Sequence, residues 1–93
     1  MAESTVEERR VRVQNRMGLH ARPAAEFVKL AAKFRAEIQL AKDGLSVNGK
    51  SIMGVMMLAA EQGSELVVRA EGVDAGEAAD ALGALIQQGF GEK

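Results

Sequence analysis

The sequence predicts an α+β fold, a two-layer open-faced sandwich in which a four-stranded antiparallel sheet carries three helices on one face. Three observations predict it. Apolar and polar residues alternate in three stretches, the spacing of half-buried strands, and a fourth, Ser64 to Glu71, reads as a strand through a short apolar run. Three further stretches repeat apolar residues at helical spacing. The order is β-α-β-β-α-β-α, and strands with one apolar face each leave the other sheet face to water. Ninety-three residues suit one domain, spanning 1–93.

Residues 1–5 are expected to be loose. From Val6 to Gln14, Val11 and Val13 alternate with Arg10, Arg12 and Gln14, which predicts a strand with one buried face. Asn15 to Leu19 reads as a loop. Ala24, Phe27, Val28, Leu30, Ala31 and Phe34 recur at helical spacing across 21–34, with Glu26, Lys29 and Lys33 opposite. Ile38 and Leu40 then alternate with Glu37, Gln39 and Ala41. Asp43-Gly44 is a strong hairpin dipeptide, Leu45 and Val47 mark the return strand, and Asn48-Gly49 reads as a second turn.

Ser51 is a good cap for a short helix, which Gly54 weakens and Gln62-Gly63 ends. Its run from Ile52 to Ala60 is apolar nearly all round. Val55 and Leu58 suit the core. Ile52, Met53 and Met56 are open to two readings: apolar residues at helical spacing usually face a core, but methionine on a surface helix suits an adaptable docking site. Ser64 to Glu71 reads as a strand through Leu66, Val67 and Val68, broken by Gly72. Asp74 is the expected cap of a last helix, whose core face carries Ala75, Ala78, Ala79, Leu82, Leu85 and Ile86. Gly89 ends it and Phe90 tucks back.

Composition narrows the function. There is no cysteine and one histidine, so neither a disulfide, a metal centre nor a resident cofactor is expected. No apolar run approaches the roughly 20 residues of a membrane span, and the acidic start lacks a signal peptide's apolar core. A cytoplasmic location is the default. The net charge is −1, yet Arg9 to Lys50 holds ten Lys/Arg against three Asp/Glu, while Glu61 onward holds seven acids against two bases. Arg9, Arg10, Arg12, Arg16 and Arg22 fall in a stretch without any acid. With His20 inside it, that stretch reads as a docking face for an acidic partner or a phosphoryl group. Nucleic acid is a poorer fit, because there is no Tyr or Trp to stack on bases.

Gly18-Leu19-His20-Ala21-Arg22-Pro23-Ala24-Ala25 carries the chemistry. It contains the only histidine and the only proline, where strand spacing gives way to helix spacing. The first amides of a helix lack intrahelical partners, and its N-terminus favours an anion. Gly18 can supply an unusual φ just before His20, the expected cap. Arg22 adds a fixed cation with a forked donor geometry suited to phosphate. Pro23 gives up an N–H that the first turn does not use. A lone histidine is more often structural, but these neighbours favour a nucleophile near neutral pH. No paired acids or nucleophile–base pair accompany it, so an independent enzyme is not expected.

Asn15-Arg16-Met17-Gly18-Leu19-His20-Ala21-Arg22-Pro23-Ala24-Ala25 and Lys50-Ser51-Ile52-Met53-Gly54-Val55-Met56, with Ala70-Glu71-Gly72 and the final helix, resemble HPr, the histidine-containing phosphocarrier family of the bacterial phosphotransferase system. The resemblance covers residues 6 to 90. It implies an HPr-like sandwich and a stoichiometric carrier rather than a catalyst. His20 would take a phosphoryl group on Nδ1 from phosphoenolpyruvate-charged enzyme I and pass it to sugar-specific A components. Arg22 would steady the phosphate beside the helix start formed by Gly18, Ala21 and Pro23. Ser51 matches the family's regulatory serine, the target of an HPr serine kinase/phosphorylase in some bacteria. Met17, Leu19, Ala21, Ile52, Met53 and Met56 would form the partner-binding patch, which moves the helix methionines towards exposure. A monomer is expected.

Two alternatives stand beside this. The NPr branch uses the same histidine in nitrogen regulation. Gly89-Phe90 and Met56-Met57 look somewhat like that branch, whereas Lys50 to Gly54 looks more like the sugar branch. A regulatory binding module of another class would need no phosphoryl acceptor, and His20 argues against it.

Overall fold

The computed structural model describes residues 5–92. Its elements are β1 (Thr5–Arg12), α1 (Ala21–Ala31), β2 (Glu37–Lys42), β3 (Leu45–Asn48), α2 (Ile52–Met57), β4 (Glu65–Gly72) and α3 (Ala75–Gln87), followed by a 3-10 turn over Gly89–Gly91. The strands form one antiparallel sheet in the order β1-β4-β2-β3. The expected α+β sandwich and element order are both present. Residues 1–4 of the segment expected to be loose lie outside the described residues. Thr5, the fifth, instead begins β1 opposite Gly72.

Strand alternation creates the core. Leu66, Val68 and Ala70 of β4 and Ile38 and Leu40 of β2 are buried, and their neighbours along each strand are not. They meet Phe27 of α1, Val55 of α2, and Ala78, Ala79, Leu82 and Ile86 of α3. The alanines of α3 let it lie close against β1 and β4. The opposite sheet face is polar. Arg10 reaches Glu65 at 3.3 Å and Arg69 reaches Glu71 at 3.4 Å. Such exposed pairs contribute about 0–1 kcal/mol each, so they keep this face wet rather than hold the sheet together.

Several boundaries differ from expectation. α1 stops three residues before Phe34, because Lys33 and Phe34 donate three residues back, to Leu30 and Ala31, and tighten the last turn. α2 stops at Met57, not at Gln62-Gly63. Leu58 and Ala59 close it with bonds to Val55 and Met56, and Ala59 turns the chain away at φ +49°. The Lys42 ammonium then donates to the carbonyls of Leu58 and Ala59. β3 lies at the sheet edge and buries little: Leu45 is exposed and only Val47 packs on the core. The hairpin before it is as expected, with Asp43 and Gly44 both at positive φ.

Asp74 does not cap α3 with its side chain. Its carboxylate instead accepts from the amides of Arg35 and Ala36, both at 2.8 Å, and ties the entrance of β2 to the start of α3. The bond from the Arg35 amide is the main reason its pKa is lowered; partial desolvation opposes this and the Ala36 amide adds to it. A depressed carboxylate stabilises the fold above its unfolded pKa of about 3.9, and that contribution is lost as pH falls through the lower folded value. Asp74→Asn is therefore expected to lower the melting temperature at neutral pH and to leave a shallower loss of stability on acidification. Paired thermal melts between roughly pH 2 and pH 7 read this window, and parallel curves would refute it.

Candidate functional site

His20 occupies the position before the first turn of α1 in extended backbone, and its carbonyl accepts from the Ala24 amide at 3.0 Å. It is the helix cap by backbone only, because its imidazole takes no bond from the first-turn amides. Pro23 has no amide hydrogen, so Ala21 and Arg22 supply the two free amides of this turn. The ring is about a third exposed. Basic and anion-favouring groups thus stand beside a reachable imidazole.

The loop before His20 is held from below. Gly18 sits at φ +63°, and a Cβ there would collide with the Ala60 carbonyl oxygen. That same oxygen accepts from the Leu19 amide at 2.9 Å. The segment leaving α2 therefore sets the height of the histidine loop. Gly18 and Pro23 are buried here as structural parts of the site, while Ala21 and Arg22 are exposed.

The charged residue closest to the histidine comes from the other end of the chain. Both carboxylate oxygens of Glu92 lie at hydrogen-bond distance from His20 Nε2, at 3.0 and 3.1 Å. Arg22 Nε donates to Glu92 at 2.8 Å, and its terminal nitrogen donates to the Phe90 carbonyl at 3.0 Å. Asn15 Nδ2 donates to Glu92 at 2.9 Å and also to the Gly18 carbonyl. Both neighbours of that amide nitrogen are acceptors, which settles the orientation of the Asn15 side chain. The His20 hydrogen bond is the main cause that holds Glu92 well below the usual carboxylate range, at about 2; partial desolvation opposes it, and Asn15 and Arg22 reinforce it. Glu92 is thus ionised across the whole range in which a histidine changes charge.

Sequence reasoning missed Glu92 and gave Asn15 no role of its own. The available signal was the expectation that Phe90 tucks back. Phe90 is buried at φ +57°, and its anchoring brings the next residues over the start of α1.

The basic stretch does not form one face. Strand alternation splits it: Arg10 and Arg12 point to the polar sheet face near Glu65, while Arg9 turns inward to Glu7 and to Asp80 of α3. Only Arg22 reaches the histidine cluster. Its guanidinium is held against Glu92 and Phe90 through Nε and one terminal nitrogen, which leaves N–H donors to spare.

The residues expected to form an apolar patch are exposed, except Leu19. Met17 and Met53 are about three-quarters exposed, and Ile52, Met56 and Met57 are also exposed on α2, while Val55 and Leu58 face the core. Leu19 is 4% exposed and belongs to the core, because its amide is pinned to Ala60 and its side chain turns inward. It cannot contact a partner. Ser51 caps α2 as expected, its hydroxyl accepting from the Gly54 amide at 3.1 Å. Ser51→Ala is expected to cost about 1 kcal/mol, read as a shift in the urea midpoint; no shift would mean that α2 is held by its packing alone.

No helix among the described residues is long and apolar enough to cross a membrane. A family model described as "PTS HPr component phosphorylation site" matches residues 7–88. The phosphocarrier protein HPr of Cupriavidus necator is 49% identical over 78 residues, covering 84% of this chain and 88% of that protein. The HPr-like protein Crh of Bacillus subtilis is 46% identical over 81 residues, 87% of this chain and 95% of Crh. The crystal structure of HPr from Thermoanaerobacter tengcongensis superposes with a TM-score of 0.89 at 48% identity, covering 94% of this chain and 98% of that one.

Proposed function

The chain belongs to the HPr family of the phosphotransferase system, and from that premise we propose that it is a stoichiometric phosphoryl carrier whose acceptor is His20 Nδ1. The donor is phosphoenolpyruvate-charged enzyme I, and the recipients are sugar-specific A components. The observation that carries this is the placement of the chain's only histidine: partly exposed, at the start of α1, beside two free amides and Arg22. A carrier must hold its cargo without trapping it. Amides and the arginine bind the phosphate anion, while the P–N bond remains open to the next acceptor, and the partners supply much of the remaining positioning.

Met17, Ile52, Met53 and Met56 form the docking patch, with Met57 extending it. Methionine suits a surface that must fit several partners in turn. Phosphorylation at Ser51 by an HPr serine kinase would add about −1.5 to −2 charge beside this patch. The short helix tolerates that charge at its start, and an acidic partner would be repelled. The carrier works as a cytoplasmic monomer, presenting one face at a time.

A second reading is a regulatory binding module that works by docking alone; the chain is also similar to an HPr-like protein, Crh. One experiment separates the two. The pure protein is incubated with phosphoenolpyruvate and an active enzyme I, and intact mass is recorded. The carrier gains one acid-labile, base-stable phosphate. A protein that stays unmodified beside a charged enzyme I is a binding module in that pairing.

A further inference from the structure

Resting on the carrier reading, we propose that Glu92 is a positioning residue that holds His20 as its Nε2–H tautomer and so leaves the Nδ1 lone pair as the nucleophile. A neutral imidazole has one N–H and one lone pair, and an ionised carboxylate can only accept. Both Glu92 oxygens face Nε2, at 3.0 and 3.1 Å. Nε2 must therefore carry the hydrogen. Nδ1 makes no hydrogen bond among the described residues, and the first-turn amides do not approach it as a cap.

The carboxylate is itself fixed from two sides. Arg22 Nε of α1 and Asn15 Nδ2 of the preceding loop donate to it at 2.8 and 2.9 Å. Among the described residues, Arg22 is the other charged group that faces the His20–Glu92 pair, and Glu26, one turn further along α1, lies 3.9 Å from that guanidinium. Asn15 and the Phe90 carbonyl are neutral. The cluster thus combines one carboxylate, one cation and one titratable ring, and the carboxylate stays charged when the ring is neutral.

This arrangement simplifies the transfer. The Nδ1 lone pair forms the new N–P bond while the bond between phosphorus and the donor's carrying atom breaks, and that electron pair returns to the donor atom. No proton has to leave the His20 ring. The phosphorylated ring keeps its Nε2 hydrogen and gains a positive charge, which the ionised Glu92 opposes at hydrogen-bond distance. In onward transfer a nucleophile of the recipient forms the new bond to phosphorus while the Nδ1–P bond breaks, its electron pair returns to Nδ1, and the ring leaves as the neutral Nε2–H tautomer.

The test is a long-range proton–nitrogen NMR spectrum of the histidine-labelled protein, recorded about two units above an ordinary histidine pKa of about 6.5. The wild type should show one tautomer, with Nε2 protonated and Nδ1 bare. Glu92→Ala should shift towards a mixture of both tautomers, and Glu92→Gln, whose carbonyl oxygen still accepts, should keep Nε2–H. Phosphoryl acceptance by Glu92→Ala should slow roughly 10- to 100-fold, as when a ring-orienting carboxylate is lost elsewhere. A wild type protonated on Nδ1, or an alanine variant with unchanged tautomer and rate, overturns the proposal. A wild type that shows Nε2–H yet takes no phosphate supports the tautomer assignment and overturns the carrier reading instead.

Discussion

Replacing His20 by alanine is expected to abolish phosphoryl acceptance completely while leaving the fold in place. The chain has no second histidine to take over, and serine or carboxylate acceptors would give bonds of different acid and base stability. The cap role of this position is carried by its backbone carbonyl, which alanine keeps. Its ring lies outside the buried core, and the contact it gives up is the partly exposed hydrogen bond to Glu92. The melting temperature should move by no more than roughly 5 °C, in line with a surface substitution in a domain of this size. Intact mass after exposure to charged enzyme I reads the first point, and circular dichroism melts read the second. An alanine variant that still gains an acid-labile phosphate would place the acceptor elsewhere.

The largest effect on stability is expected at Gly18. Alanine there must hold φ near +63° and also push its Cβ away from the Ala60 carbonyl. The left-handed backbone and the forced shift together cost about 2–4 kcal/mol, a large share of the roughly 5–15 kcal/mol available to a small domain. Gly63 provides the control. It lies at φ +88° with open space where a Cβ would stand, so Gly63→Ala should lose only about 1 kcal/mol. Urea unfolding of both variants separates backbone strain from close approach. Equal losses would show that the contact with Ala60 does not matter. Because the Leu19 amide bonds to that same carbonyl, Gly18→Ala should also displace His20 and slow phosphoryl acceptance.

The fold and the placement of His20 were legible because both are local. Alternation at Ile38 and Leu40, helical spacing from Ala24 to Ala31, and the Asp43-Gly44 turn each depend on residues close in sequence, and the backbone satisfies them as read. The junction at His20 is likewise a property of eight consecutive residues. Three features depended instead on what distant segments do. Leu19 looks like any apolar residue beside a site, and only the carbonyl of Ala60 turns it into the core. Arg9 looks like part of a basic run, and only Asp80, on a helix at the far end of the chain, draws it inward.

Glu92 is the clearest case. By sequence it is one more acid in an acidic tail, seventy-two residues from the histidine. Composition and spacing determined that one imidazole would stand at a helix start with an arginine beside it. Only the packed structure decided which ring nitrogen is held and which is left free. A hydrogen bond is set by distances of about 3 Å, and the sequence fixes such distances only within a turn or a strand pair; across the chain they follow from how Phe90 anchors in the core and brings Glu92 over α1.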